Sequence, residues 1–189
     1  SKDHKMALLF IDLDNFKRIN DSLGHEAGDL LIKKVSQRLK KYVRQKDIVF
    51  RHSGDEFIVF VEDVVDNSTV KTMARTIISQ CTKPFYIDNY KLFVTPSIGI
   101  SIYPDHGEDI DQLIKNADLA MFQVKKQGRN NFHIYDAKLD NIVSEKLYLE
   151  NELRKALDKD QLSIHYQPQI DLQTGYIVAV EALISWNHP

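Results

Sequence analysis

The sequence predicts an α+β fold with a ferredoxin-like βαββαβ core, extended by an additional helix and a hairpin. Met6 to Ile11 is a continuous apolar run of strand length. Ile48 to Arg51 and Phe57 to Val61 are two more apolar stretches, separated by His52-Ser53-Gly54-Asp55, whose glycine favours a tight hairpin. Around these, apolar residues recur at helical spacing, so elements arrive in the order strand, helices, strand, strand, helix, strand. This order implies a largely antiparallel sheet with helices on one face.

The first strand ends in Asp12-Leu13-Asp14 and so delivers carboxylates to one end of the sheet. Asn15 or Asp14 can cap a short helix running to Leu23, and after Gly24 a longer helix carries Ala27, Leu31, Val35 and Leu39. Val70, Met73, Ala74 and Ile77 mark the next helix, and Asp88-Asn89 the turn of a small hairpin. Ile98, Ile100 and Ile102 alternate as one face of a strand. Leu113, Ile114, Ala117, Met121 and Val124 mark a helix ending near Gly128, and Asn131 to Tyr135 form a final short strand. A boundary near Asp136 makes residues 1–136 one domain. Residues 137–160 read as a charged connector helix with Leu139, Val143, Leu147 and Leu153. Residues 161–189 hold two strands, Leu162 to Gln167 and Tyr176 to Leu183, around Thr174-Gly175, too little to fold alone.

Composition excludes several function classes. Twenty-five basic residues against 27 acidic ones, a net charge of −2, argue against broad binding to a nucleic-acid backbone. Phosphate recognition should therefore be local. The chain contains no apolar stretch of membrane-spanning length and no signal peptide. The single Cys81 excludes an internal disulfide and a multi-cysteine metal site, which fits a reducing cytoplasm.

If the strands bearing Asp12 and Asp55 are neighbours, two carboxylates from distant sequence meet at one sheet end. Such a pair suits Mg²⁺, which is usually held by one or two carboxylates together with substrate phosphates. On spacing alone the commoner meaning is simpler: Asp12 and Asp14 cap a helix and Asp55 makes a turn. Lys125 and Arg129 would likewise be an ordinary cationic helix end.

Four segments change that balance: Phe10-Ile-Asp-Leu-Asp-Asn-Phe-Lys-Arg-Ile-Asn-Asp21, Gly24-His-Glu-Ala-Gly-Asp29, Arg51-His-Ser-Gly-Asp-Glu-Phe57 and Lys125-Lys-Gln-Gly-Arg-Asn130. In this order they resemble the GGDEF family of nucleotidyl cyclases over about 130 residues, and motifs this long are specific. The resemblance implies condensation of two GTP molecules to cyclic di-GMP by a homodimer, with Mg²⁺ or Mn²⁺. It places metal ligands at Asp12, the carbonyl of Leu13, and Asp55, and makes Asp55 and Glu56 the catalytic carboxylates, Glu56 lying near the metals as either base or ligand. Asn20 and Asp29 match guanine-recognising positions. Lys125 and Arg129 match the pair holding the terminal phosphates, helped by backbone amides around Asn15 and Phe16. Ser53 and Gly54 complete the nucleotide-contacting hairpin.

Arg44-Gln-Lys-Asp47 resembles the family's RxxD inhibitory site for cyclic di-GMP, where an arginine can hold a phosphate bidentately and stack on a purine. The same spacing also occurs in surface ion pairs. Leu153 to Leu157, Tyr166-Gln-Pro168, Gly175 and Glu181-Ala-Leu-Ile-Ser-Trp-Asn-His-Pro189 resemble the opening of an EAL phosphodiesterase domain. There Glu181 matches the first metal ligand, while Gln167 and Ser185 fall at ligand-contacting positions. One metal ligand cannot assemble a hydrolytic centre, so no phosphodiesterase activity is expected of these 189 residues.

Two departures stand out. Ser53 replaces the first glycine of the signature, setting a Cβ and hydroxyl where backbone would approach the nucleotide or adopt a glycine-only angle. The family's usual segment before the first strand is absent. Two functions follow from this pattern: a cyclase, or a GTP-binding regulatory module with weak or no turnover, controlling an attached EAL domain.

Overall fold

The computed structural model describes residues 5–139, 149, 151–157 and 159–187. The chain divides into two compact units, Ser1–Leu139 and Asp140–Pro189. The first unit contains β1 (Met6–Leu13), α1 (Phe16–Leu23), α2 (His25–Tyr42), β2 (Ile48–Ser53), β3 (Glu56–Val61), α3 (Asn67–Cys81), β4 (Phe85–Ile87), β5 (Tyr90–Leu92), β6 (Pro96–Tyr103), α4 (Ile110–Lys126) and β7 (Phe132–Ile134). Five strands form one sheet in the order β2-β3-β1-β6-β7. The first four are antiparallel neighbours, whereas β7 joins the edge of β6 in parallel. The hairpin β4-β5 stands apart as a second, two-stranded sheet, turning at Asp88 and Asn89 as the sequence predicts.

The apolar run of β1 has a direct structural cause. Ala7, Leu9, Ile11 and Leu13 point into a large cluster with Leu31, Val35 and Leu39 of α2 and Val70, Ala74 and Ile77 of α3. Leu8 and Phe10 point the other way, onto Leu113, Ala117 and Met121 of α4. Helices therefore cover both faces of the sheet, which corrects the expectation that they lie on one. A strand whose two faces are both apolar needs cover on both sides, and each fully buried Leu or Ile contributes about 1.5–3 kcal/mol to that packing. The alternation at Ile98, Ile100 and Ile102 marks only one of β6's buried faces, because the intervening Gly99 and Ser101 are buried too.

Gly99 lets α4 approach closely. A Cβ there would stand 1.8 Å from the carbonyl oxygen of Ala117 and 2.3 Å from the amide nitrogen of Met121. At the other side of the sheet Gly28 of α2 does the same for α1, with Asn20 Oδ1 only 1.8 Å from a built Cβ.

In the second unit residues 151–156 are helical, and β8 (Leu162–Ile170) pairs antiparallel with β9 (Ile177–Trp186). Of the predicted connector helix at 137–160, residues 140–148, 150 and 158 lie outside the described residues. Among the described residues no helix is long and apolar enough to cross a membrane.

Candidate functional site

The register of β1 against β3 sets Asp12 opposite Glu56, and the Leu13 amide donates to the Asp55 carbonyl at 3.3 Å. The first strand and the hairpin turn, more than 40 residues apart in sequence, thus meet at one sheet end. On the other flank Ser53 pairs with Glu56, leaving Gly54-Asp55 as a two-residue loop in which Gly54 takes a φ of +43°. Ser53 is not among the residues with positive φ, so its Cβ meets no backbone objection. Its hydroxyl instead donates to Glu56 Oε2 at 2.5 Å. The serine thus adds a hydrogen bond to Glu56, next to a register shift of the β2-β3 ladder between Arg51 and Ser53.

Asp12 is buried, and its Oδ2 lies 2.7 Å from Nζ of Lys125, at the last turn of α4. Burial pushes its carboxyl up to about 6, against the pull of the Lys125 ammonium, and the like charges of Asp55 and Asp14 push it further in the same direction. Asp118 is also raised, first by burial and then by Glu56, with Lys125 and His52 opposing. Reading the sequence did not single out Asp118. Its signal was its position seven residues before Lys125, two turns back on one face of α4.

A raised folded-state carboxyl means that ionisation costs stability. The penalty is absent below the unfolded value of 3.8, grows to about pH 6 and is constant above, with a size of about 3 kcal/mol. Asp12→Asn is therefore expected to make the domain more stable at pH 8 by about 1–3 kcal/mol, an advantage that shrinks towards pH 4. Urea unfolding at the two pH values checks this; a less stable variant at pH 8 would show that Asp12 is held for structure.

Asp14, one of the two residues expected to cap α1, does not. The N-cap is Asn15, in a left-handed conformation with φ 59°, and no side chain caps this end. Asp14 is buried and accepts hydrogen bonds from Thr95 Oγ1 at 2.5 Å, Ser97 Oγ at 2.6 Å and the Asn130 amide at 3.1 Å. It ties the end of β1 to the start of β6 and to the turn after α4. In that turn Gly128, Arg129 and Asn130 all have positive φ, a conformation that costs a non-glycine residue about 1 kcal/mol. Asp14 thereby holds in place the turn on which exposed Arg129 stands.

The remaining residues fall into two places. Asn20 on α1 packs against Gly28, next to exposed Asp29. Its Oδ1 is buried without a hydrogen-bond partner among the described residues. Asp29 also lines a cleft of about 480 Å³ with Lys33, Lys40, Arg51 and Phe57. Arg44 and Asp47 form a separate, closed pair: Arg44 Nε and Nη2 reach both carboxylate oxygens at 2.8–3.2 Å, and Nη2 also donates to the Glu62 carbonyl at 2.6 Å. The Asp47 side chain is fully buried there. In the second unit Gln167 lies directly opposite Glu181 across the β8-β9 ladder, and Ser185 opposite Ser163.

Among the described residues no three His, Cys, Asp or Glu side chains converge on a point where a metal could sit. Asp12 and Asp55 offer two carboxylates with the Leu13 backbone between them. That donor set fits a hard divalent cation whose other ligands come from phosphates or water.

A five-stranded sheet covered on both faces, with carboxylates at the β1 end and a lysine from α4 beside them, defines a nucleotidyl cyclase-like α+β domain. The chain belongs to the GGDEF family: the model described as the diguanylate cyclase GGDEF domain matches residues 1–131, and the EAL domain model matches residues 150–189. It is 42% identical over 184 residues to the cyclic di-GMP phosphodiesterase NbdA of Pseudomonas aeruginosa, covering 97% of this chain and 23% of that protein. Against the bifunctional diguanylate cyclase/cyclic di-GMP phosphodiesterase MucR of the same organism it is 38% identical, covering 99% of this chain and 27% of that one. The chain thus spans about a quarter of the length of these relatives. The solved GGDEF domain of TpbB (YfiN) from P. aeruginosa superposes with a TM-score of 0.72 at 32% identity, covering 75% of this chain and 83% of that one.

Proposed function

We propose that the first unit binds GTP with Mg²⁺ or Mn²⁺ and, as a homodimer, condenses two GTP molecules to cyclic di-GMP. The observation that carries this reading is the meeting of Asp12, Asp55 and Lys125 at one sheet end. The 3′-hydroxyl of each GTP would attack the α-phosphate of the other, the new P–O bond forming as the bond to pyrophosphate breaks. A bound cation would neutralise charge developing on the phosphates. Asp12, Asp55 and the Leu13 carbonyl would hold it, and Lys125 and Arg129 would grip the terminal phosphates. The uncapped first turn of α1, at Asn15 and Phe16, offers amides to the same anion. Asn20 Oδ1, a buried acceptor with no donor among the described residues, and the Asp29 carboxylate suit the N–H groups of guanine. Turnover by positioning requires two such domains face to face. A single cysteine, Cys81, buried and not paired in a disulfide, and a GTP substrate support a cytoplasmic setting.

One observation favours a second reading, in which GTP binds without reacting and regulates an attached EAL domain. The Ser53 hydroxyl holds Glu56, the residue matched to catalysis. Ser53→Gly separates the two: it is expected to raise cyclic di-GMP formation from GTP several-fold in the purified protein. An unchanged or lower rate removes Ser53 as a restraint.

Arg44 and Asp47 are proposed as a product site distinct from the GTP pocket. Because their fork is closed, Arg44 must exchange Asp47 for a ligand phosphate, which calls for a ligand with strong charge. Arg44→Ala is expected to weaken cyclic di-GMP binding at least 100-fold in calorimetry while GTP affinity changes less than threefold. Equal loss of both ligands would merge the sites. In the second unit, Glu181 with neighbouring Gln167 is proposed as one metal and ligand position of an EAL site.

A further inference from the structure

We propose that Lys125 is an internal substitute for the metal: without nucleotide its ammonium occupies Asp12, and the cation gains that carboxylate only when GTP phosphates draw Lys125 away. The inference rests on the proposed GTP site and concerns how that site loads. Lys125 Nζ lies 2.7 Å from Asp12 Oδ2, a full contact ion pair. The Asp12 side chain is only 10% exposed, and the lysine stands over one of the two oxygens with which it could meet a metal. A divalent ion and an ammonium at one buried carboxylate repel each other, and the repulsion grows as the local dielectric falls. Lys125 can leave, since it is 30% exposed on a flexible four-carbon stem and makes no ring of fixed hydrogen bonds like that of a guanidinium. The fixed surroundings do not compensate for its departure: Asp14 and Asp55 add negative charge near Asp12, and Asp118 does so near Lys125.

Two things follow by linkage. Metal alone should bind weakly, and GTP should raise metal affinity by the same factor by which metal raises GTP affinity. The lysine then serves twice, as counterion in the empty site and as phosphate ligand in the loaded one.

The test is Mn²⁺ binding, followed by electron paramagnetic resonance on the metal-stripped 189-residue chain, with and without GTP. Wild type is expected to bind Mn²⁺ weakly alone and at least tenfold more tightly with GTP. Lys125→Met should bind Mn²⁺ alone at least tenfold more tightly than wild type, and adding Asp12→Asn should abolish that gain. Lys125→Arg, which keeps a cation at Asp12, should retain weak Mn²⁺ binding, and far-ultraviolet circular dichroism confirms that each variant is folded. If Lys125→Met binds Mn²⁺ alone no better than wild type while wild type still binds Mn²⁺ with GTP, the substitution role is wrong and the GTP site stands. If wild type binds no Mn²⁺ under either condition, the GTP site itself is wrong and the inference falls with it.

Discussion

Asp55→Ala is expected to weaken metal-dependent GTP binding at least 100-fold. Asp55 sits in the two-residue loop between β2 and β3, where its backbone already pairs with Leu13, so its carboxylate can join Asp12 without any rearrangement of the sheet. Losing one of the two proposed carboxylate ligands leaves Asp12, with which Lys125 is already paired. The loop should keep its shape, because the turn depends on Gly54 rather than on the Asp55 side chain. Calorimetry with GTP and Mg²⁺ checks this; unchanged affinity would mean that the cation binds elsewhere.

Gly99→Ala is expected to cost about 3 kcal/mol or more, lowering the melting temperature by about 10 °C. The added methyl would stand 1.8 and 2.3 Å from two backbone atoms of α4, neither of which can turn aside as a side chain could. The whole helix must lift from the sheet, opening the contacts of Ala117 and Met121 with Leu8 and Phe10. Since α4 carries Lys125, any folded fraction should also lose nucleotide affinity. Gly54→Ala provides the contrast: nothing lies within 4 Å of its built Cβ, so only the positive φ is penalised, by about 1 kcal/mol. Thermal unfolding of both variants measures the difference, and equal small losses would show that α4 is not seated as closely as the Gly99 contacts require.

Much of this molecule is legible in its sequence because the signals are local. An uninterrupted apolar run must be a strand buried on both sides or a buried helix segment, and Met6 to Ile11 is too short for the latter. The glycine between two apolar stretches marks the β2-β3 hairpin, and helical spacing marks α2, α3 and α4. Recognition of the family rests on four motifs that survive as contiguous strings. What periodicity could not say is which face each helix covers, and the expectation of a single covered face failed for that reason. Placing α4 opposite α2 and α3 depends on the side to which the chain crosses after β6, a choice that no residue pattern within α4 records.

The sequence by itself determined the elements, their order and the residue types at the candidate site. Chain-distant geometry decided their roles. Asp14 has the spacing of a helix cap, yet it binds two hydroxyls on and before β6 and an amide after α4, more than 80 residues away at the least. Asp118 stands two turns before Lys125 on α4, but only the fold set it near Glu56 of β3. Ser53 departs from its motif, but only the turn geometry showed that glycine was not required there and that the hydroxyl reaches Glu56. The physical reason is common to all three. Helix and strand formation depend on neighbours within a few residues, whereas hydrogen bonds, burial and charge coupling depend on which segments tertiary packing brings within a few ångströms.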